Sequence, residues 1–474
     1  MAKIEQDELV RVPEGGGGGL DRYFQISERG STVRIEIVAG VTTWLTMAYI
    51  LFLNPFILGL VTDGEGTTLA FPQVLTVTAL AAGVMTLAMG IWGRYPFAIA
   101  AGLGLNGFVA FTLVGALGLT WPQAMGVIVI EGLVISALVL TGVRQLIMNA
   151  IPMDLKRAIA IGIGLFLAVI GFETGEVVIQ GTGTPVTIAP DLTTLRMAIF
   201  VFGLVVTAGL VARKIRGGLL IGIMASTALA IVINEVWGHD VIWEAVGPGI
   251  AQVPSDIVAR PDFALVGNFS FDVFSVLSLS TALVAILSVM LADFFDTMGT
   301  VVGLGDEAGL LDANGRLPGI KRVLLVDGLA AAAGGAVSSS SNTTFIESGS
   351  GIGDGGRTGL ASVVTGALFL LCLFISPLAG VVPPEATAPV LIIVGYFMMK
   401  GVGEIDWRDP GIGIPAFLTM TLMPFTYNIA HGIAAGFLSY TLIRLIQGRA
   451  RDVHWLLYAV DALFVVYFVR GLLA

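Results

Sequence analysis

Residues 338–351 read SSSSNTTFIESGSG, and this run of hydroxyl, amide and glycine residues interrupts an otherwise apolar stretch of the chain. Such a composition favours extended or irregular backbone over a membrane-spanning helix. Lipid tolerates irregular backbone only where protein or a water-filled cavity covers its polar groups. We therefore expect this segment to lie inside a helical bundle and to become helical near Glu347.

Residues 96–107, PFAIAAGLGLNG, form a second interrupted stretch. If this segment begins extended and turns helical near Asn106, two helix N-termini with free N–H groups face a central site from opposite directions. That geometry suits a small polar heterocycle.

The composition is that of a membrane protein. Of 474 residues, 56% are hydrophobic and 12% are charged, and the mean hydropathy is +0.92, outside the range of soluble domains. One helical crossing uses about 20 apolar residues, so a dozen or more spans fit. The net charge of -10 lies mostly in loops and the N-terminal tail, and it does not indicate nucleic acid as a partner.

Apolar runs predict seven spans on each side of a polar stretch at about 235–270, which makes fourteen. Halves with an odd number of spans have opposite orientations, so similarity between them signals an inverted repeat. RGGLLIG at 216–222 matches AHGIAAG at 430–436. An inverted repeat and a chance similarity explain this match about equally well.

Clusters of Lys and Arg fall on one side of the membrane under this count, and that side is predicted to be cytoplasmic. The clusters are Arg94, the Arg144–Arg157 loop, Arg213–Arg216, Arg316–Arg322 and Arg444–Arg451.

Three carboxylates in apolar segments are the candidate polar site. Asp293 and Asp296 are three residues apart and are predicted to share a helix face, and Glu347 opens the helical half of the tenth span. A charge at membrane depth costs several kcal/mol unless it has water, a partner or a function. A carboxylate accepts the N–H donors of a planar base and also loads and releases a proton.

Structural explanations stand beside these roles. For Asp296, bracing a neighbouring helix through Ser or Thr explains the residue as well as a direct role does. For Asn106, the structural alternative is that its side chain satisfies local backbone groups. Glu131 has no role in this scheme except as a partner for a polar group. With three histidines in the chain, His431 included, no metal site is expected.

Six stretches carry a resemblance to a known family. They are TTWLTMAYI at 42–50, NP at 54–55, GLGLN at 102–106, DFFDT at 293–297, FIES at 345–348 and GGRTG at 355–359. From about residue 20 to its end, the chain resembles the AzgA-like hypoxanthine-guanine permeases, a branch of the nucleobase-cation symporters related to the xanthine and uracil permeases. The resemblance implies an all-α polytopic fold of fourteen spans in two inverted seven-span repeats, with short extended segments in spans 3 and 10.

The resemblance also implies a core domain and a gate domain. The division predicted for this chain is a disordered cytoplasmic tail at 1–30, the core at 31–145 (spans 1–4) and 271–380 (spans 8–11), the gate at 146–270 (spans 5–7) and 381–450 (spans 12–14), and an interfacial or extra helix at 451–474.

Carried over by position, the family's essential polar residues fall on Asn106, Asp293 and Glu347, with Asp296 acting less directly. All three carboxylates are candidates for proton coupling.

Further substrate contacts follow from the same resemblance. They are Phe345 against the base, the backbone near Ile346, and Ala48 in the first-span motif. Gly107 and Val109 depart from the residues usual in the family, so the preferred purine stays open.

The predicted function is import of hypoxanthine, guanine or adenine by proton symport across the plasma (inner) membrane. The proton is the coupling ion, and neither a cofactor nor catalytic residues are expected. Expected partners are the purine base, the proton, membrane lipid and a second copy in a homodimer. The alternatives are an anion transporter or channel of the same fold and a membrane-embedded enzyme, for which the carboxylates lack a neighbouring His or Lys base.

Overall fold

The computed structural model describes residues 18–142, 150–181, 184, 186–237, 251–253, 256–312 and 316–473. Residues 1–17 of the predicted tail, Arg144 of the predicted cytoplasmic loop and 238–250 of the predicted polar stretch lie outside these ranges.

The helices of the first half are α1 (Gly19–Phe24), α2 (Val33–Met47), α3 (Ile50–Gly59), α4 (Phe71–Ala88, continuing as a π-helix over Met89–Gly93), α5 (Leu103–Gly107, continuing as a π-helix over Phe108–Ala116), α6 (Trp121–Thr141), α7 (Met153–Thr174), α8 (Leu195–Ala212) and α9 (Gly218–Trp237). The helices of the second half are α10 (Val273–Val276), α11 (Leu279–Glu307), α12 (Ile320–Ala336), α13 (Ser348–Gly353), α14 (Gly359–Leu371), α15 (Ser376–Gly380), α16 (Pro384–Met398), α17 (Pro410–Thr426), α18 (Ile429–Ile446) and α19 (Trp455–Leu473). The strands are β1 (Ile99–Ala101), β2 (Val178–Ile179), β3 (Thr187–Ile188) and β4 (Asn342–Thr344).

Within the described ranges, nine helices are long and apolar enough to cross a membrane, and three shorter apolar helices accompany them. The chain is therefore a mostly helical membrane protein, as its composition predicts.

Local sequence explains how these helices begin and end. Helix α6 starts at a capping box in which Thr120 and Gln123 satisfy each other's backbone N–H groups, with a proline in its first turn. It ends at Gly142, whose φ of 79° lies in the left-handed region that glycine adopts without strain.

The two interrupted segments pair with each other as antiparallel strands. Strand β1 lies beside β4 with Ile99 opposite Thr344 and Ala101 opposite Asn342. Helix α5 begins two residues after β1, and α13 begins four residues after β4. The predicted extended starts of the two interrupted segments are thus confirmed. Because the strands are antiparallel, the two helices leave the pairing in opposite directions.

Helices of the predicted core pack on one another, and so do helices of the predicted gate. In the core, α12 packs against α6, and α14 packs against α2 and α4. In the gate, α7 packs against α16 and α17, and α17 against α18. Helix α11 touches α6 on one side and α7 and α18 on the other. The domain division itself stays a prediction.

The prediction that residues 1–30 are disordered is wrong for residues 18–30. Helix α1 and the turns after it fold against the bundle, where Phe24 and Ile26 are buried with Leu360. Arg29 donates to the carbonyl oxygens of Arg94 at 2.9 Å and Arg357 at 3.1 Å. The glycine-rich composition of 15–19 favours disorder, but two apolar anchors a few residues later hold this part of the chain in place.

Helix α19 is part of the bundle. It packs against α18 and α11, Thr441 of α18 donates a hydrogen bond to Asp461, and Phe464 is fully buried beside Phe437.

Small residues let α6 and α12 approach closely. A Cβ atom placed on Gly132 would lie 2.2 Å from the backbone nitrogen of Ala332 and 2.8 Å from the carbonyl oxygen of Gly328. Backbone atoms cannot move aside as a side chain can, so the two helices would have to separate.

We expect Gly132→Ala to lower the free energy of unfolding by about 1–3 kcal/mol, the usual cost of overpacking. The measurement is thermal unfolding of the detergent-solubilised protein, followed by loss of its monodisperse peak. Gly209→Ala on α8 is the matched control, because no atom of the described residues lies within 4 Å of a Cβ atom placed there. Equal melting temperatures for the two variants would contradict the packing argument.

Candidate functional site

The paired strands carry polar side chains into the interior of the bundle. Asn342, Thr343 and Thr344 of β4 are almost wholly buried, and their backbone pairs with β1. The pairing is extended at one end by Gly102 N–H to Ser341 O at 3.0 Å and at the other by Phe345 N–H to Ala98 O at 2.9 Å. Burial of this irregular backbone is possible because each strand satisfies the hydrogen bonds of the other.

Glu347 occupies the N-cap position of α13 and is partly exposed in the wall of a cavity of about 520 Å³. Its carboxylate accepts a hydrogen bond from the hydroxyl of Tyr49. Its carbonyl oxygen accepts one from Thr46 at 3.3 Å. The side chain is held from one side and reaches open space on the other, which leaves acceptor capacity for a ligand.

Asp296 faces a second, narrow cavity of about 30 Å³. This cavity is lined by Leu105 and Phe295 together with Ile163 and Met398 of the predicted gate. Asp296 is exposed to this space. The structure thus gives Asp296 a cavity-facing position between core and gate helices.

Asp293 does not share the exposure of Asp296. Its side chain is fully buried, lying 3.2 Å from the hydroxyl of Ser341 and 3.3 Å from that of Thr297. The two residues were predicted to share one helix face, but only Asp296 faces the cavity. Residues three apart on a helix point about 60° away from each other, and the cavity boundary passes between these two.

Glu131 is a neighbour of Asp293. It is fully buried and accepts from the same Ser341 hydroxyl at 3.3 Å. Its predicted role as partner to a polar group is matched by this contact.

Asp327 on α12 is a buried carboxylate that sequence reasoning missed. It accepts from Thr344 N–H at 2.9 Å, Thr344 Oγ1 at 2.8 Å and Thr297 Oγ1 at 2.7 Å. Asp327 therefore links the end of β4 to α11 through these hydrogen bonds. The signal was present in the sequence, since VLLVDGL at 323–329 sets one acid in an apolar span.

Asn106 lies in α5, fully buried, and neither atom of its side-chain amide has a hydrogen-bond partner in the described structure. Its predicted alternative role, satisfying local backbone groups, finds no hydrogen bond in support. A buried amide with four unused hydrogen-bonding positions is costly unless something else occupies them.

The other predicted contacts differ in their surroundings. Phe345 and Ala48 are buried, with 6% and 2% of their surfaces exposed, whereas 57% of Ile346 is exposed. The structure brings Ile346 and Glu347 together at the start of α13. Asp293 and Asn106 instead lie in the interior.

The hydrogen bond from Tyr49 to Glu347 can be tested by Tyr49→Phe. Loss of one hydrogen bond to a charged group costs about 1.5–3 kcal/mol, and Glu347 loses its fixed orientation. We expect uptake of substrate at low concentration to fall roughly tenfold, through a higher KM. Tyr458→Phe is the control, because the hydrogen bond that its hydroxyl makes in the described part of the chain goes to the Ala450 carbonyl oxygen. A Tyr49→Phe protein with the KM of the wild type would show that the contact has no part in binding.

The chain is similar to known proteins over most of its length. A family model described as Permease family matches residues 34–435. The guanine/hypoxanthine permease PbuG of Bacillus subtilis (strain 168) is 39% identical over 458 residues, covering 95% of this chain and 99% of that protein. The adenine permease AdeQ of Escherichia coli (strain K12) is 38% identical over 450 residues, covering 95% and 96%.

A solved structure shares the fold. The transmembrane domain of the cyanobacterial bicarbonate transporter BicA superposes with a TM-score of 0.58 at 12% identity, covering 85% of this chain and 97% of that one. At such low identity, the similarity shows a shared fold and gives no information about the substrate.

The matches confirm the resemblance predicted from the six sequence stretches. They extend over nearly the whole chain and come from proteins named as transporters. The chain therefore belongs to the Permease family: it is a multi-pass transporter of the plasma membrane, and it is not an enzyme.

Proposed function

We propose that this protein imports purine nucleobases by proton symport. The observation that carries the proposal is Glu347, a carboxylate held by Tyr49 at the start of α13 and partly exposed in a cavity wall. A purine presents N–H donors along one edge, and a carboxylate accepts such donors in pairs. The names of the relatives, which are adenine and guanine/hypoxanthine permeases, support the same substrate class.

In the proposed cycle, a purine pairs with Glu347 while a buried carboxylate, Asp293, takes up the proton. The core then moves against the gate, so that the site opens alternately to the two sides. Asp296 suits this movement, because it lies where α5 and α11 of the core meet α7 and α16 of the gate. A proton crossing about 100 mV provides roughly 2.3 kcal/mol, enough for accumulation of a few tens-fold.

The fold proposed for this cycle has fourteen spans in two inverted repeats of seven. The opposite directions of α5 and α13 after the paired strands support it, since inverted halves present their broken helices to a shared site from opposite sides. A homodimer through the gate domain, in contact with membrane lipid, and the absence of any cofactor belong to the same proposal.

An anion transporter of the same fold is the alternative. In the described structure, Glu347 lines one cavity and Asp296 lines another. An anionic group placed against either carboxylate would be repelled, so the part of the site next to Glu347 or Asp296 favours a neutral base.

The test is uptake of radiolabelled hypoxanthine, guanine, adenine, xanthine and uracil into proteoliposomes, with and without an inward proton gradient. We expect the gradient to stimulate uptake of at least one purine, and competition among the five bases to show which is preferred. If the folded protein accumulates none of the five, the proposed substrate class is wrong. If it accumulates a purine equally well without the gradient, proton coupling is wrong.

A further inference from the structure

The cavity at Glu347 extends well past the carboxylate, toward three basic side chains. We name it the cationic vestibule and define it by Lys214, Arg216, Tyr396, Phe397, Lys400 and Glu347, which all line it. Its volume of about 520 Å³ is within the range of small-molecule sites and exceeds the needs of a bare bicyclic base.

The vestibule opens at the end of the molecule where basic residues gather. Arg216 forms an ion pair with Asp354, and next to it Ser31 donates to the carbonyl oxygen of Gly355 at 3.3 Å. Close to Ser31 in the chain, Arg29 donates hydrogen bonds to the backbone carbonyl oxygens of Arg94 and Arg357. Lys and Arg mark the cytoplasmic side of membrane proteins, so the vestibule faces the cytoplasm.

Of the three basic side chains, Arg216 is paired with an acid, whereas the charges of Lys214 and Lys400 are available to bind an anion. Asp354 neutralises Arg216 and is itself held by Thr42 at 2.7 Å. Within the described residues, neither Lys214 nor Lys400 has an acidic partner. Lys400 lies 4.9 Å from the ring centroid of Phe397. Ammonium groups in this setting bind phosphate as point charges.

The vestibule thus combines three kinds of recognition in one space. Glu347 accepts the N–H donors of a base, the rings of Tyr396 and Phe397 offer surfaces for stacking, and Lys214 and Lys400 attract an anion. We propose that the vestibule binds purine nucleoside 5′-monophosphates from the cytoplasm, with the base on Glu347 and the phosphate on the two lysines. Bound nucleotide occupies the site that an incoming base must leave, so it inhibits import.

This inference rests on the proposed function, because it assigns Glu347 to the purine edge. The proposed ligand is also the product expected when an imported base is used in the cell. A reaction that attaches a phosphorylated ribose to the imported base yields this class of molecule on the side that the vestibule faces. Import would then slow as the nucleotide accumulates.

The first experiment measures equilibrium binding of guanosine 5′-monophosphate, adenosine 5′-monophosphate, their nucleosides and inorganic phosphate to the purified full-length protein. We expect at least one monophosphate to bind about tenfold tighter than its nucleoside. The double variant Lys214→Gln/Lys400→Gln should lose that advantage. Arg408→Gln/Arg451→Gln removes two exposed charges outside the vestibule and should keep it. A monophosphate that binds no tighter than its nucleoside, or no tighter than inorganic phosphate, overturns the inference.

The second experiment places the same nucleotide inside or outside proteoliposomes during uptake of labelled base. Because nucleotides do not cross the bilayer, inhibition should depend on the face exposed, and it should weaken about tenfold in the lysine double variant. Normal uptake that no nucleotide inhibits from either side overturns the inference and leaves the proposed function intact. Absence of uptake by the wild type without nucleotide counts against the proposed function, whereas lysine-dependent binding of a monophosphate in the first experiment still supports the vestibule site.

Discussion

Replacing Glu347 by Gln should reduce purine uptake at least about a hundredfold while the protein still folds. The carboxylate accepts two N–H donors at once, whereas a glutamine amide offers one acceptor and turns its NH₂ group toward a donor of the base. Each hydrogen bond to a charged group is worth about 1.5–3 kcal/mol. A site built for hydrogen bonds discriminates strongly against a mismatch, because buried polar groups are then left unpaired.

The measurement is initial uptake of the preferred purine into proteoliposomes at a fixed proton gradient. Glu65→Gln, the same chemical change at an exposed loop position, is the control and should transport normally. Size-exclusion profiles show whether each variant is folded. Near-normal uptake by a folded Glu347→Gln protein would remove Glu347 from the site, and with it the main support for the proposed function.

Asp293→Asn should abolish proton-driven accumulation while exchange of purine across the membrane persists. Ser341 has one hydroxyl proton and lies within hydrogen-bonding distance of both Asp293 and Glu131. That single proton cannot serve both carboxylates at once, so we expect one of the two acids to hold a proton. Asparagine keeps the size of the side chain but fixes its charge, and the proton then has nowhere to be loaded and released.

Two assays on the same proteoliposomes separate these effects. Gradient-driven uptake should fall from a few tens-fold accumulation, the limit set by about 100 mV, to equilibration. Counterflow, in which internal unlabelled purine exchanges for external label without a gradient, should stay within a few-fold of the wild type. Asp306→Asn, an exposed acid on the same helix α11, is the control for both. If the gradient still drives accumulation in the Asp293 variant, the coupling proton resides elsewhere, and Asp296 is the next candidate.

A buried carboxylate near the cationic vestibule has a structural role and not a binding role. Glu36 is fully buried on α2, and the backbone N–H groups of Arg357, Thr358 and Ala361 donate to it at the start of α14. A carboxylate at a helix N-terminus satisfies N–H groups that the helix cannot pair itself. This buried acid therefore holds the fold together, in contrast to Glu347, which reaches a cavity.

Three features followed from local sequence. The apolar composition predicted a polytopic membrane protein, and the interrupted stretches at 96–107 and 338–351 predicted backbone that starts extended and becomes helical. The six short stretches predicted the family. Each of these depends on residues close together in the chain, because hydrophobic periodicity, hydroxyl and glycine content and motif spacing act within a segment.

Contacts between distant segments required the tertiary structure. Nothing in either interrupted stretch shows that Ala100 lies opposite Thr343, since the two residues are far apart in the sequence. The grouping of Asp293, Glu131 and Asp327 around Ser341 and Thr297 arises from four separate elements, α6, α11, α12 and the segment leading into β4. Likewise, Phe24 and Ile26 are buried because Leu360, which is distant in the sequence, lies beside them.

The sequence by itself determined that the chain crosses a membrane, where its helices are interrupted, and that Asp293, Asp296 and Glu347 lie in apolar segments. Only the tertiary structure decided which of those acids face a cavity and which are buried against one another. The physical reason is that helical periodicity fixes the direction of a side chain relative to its own axis, whereas exposure depends on what the neighbouring helices leave open. Asp293 and Asp296 stand three residues apart on one helix, and packing alone places the first among hydroxyl groups and the second in a cavity.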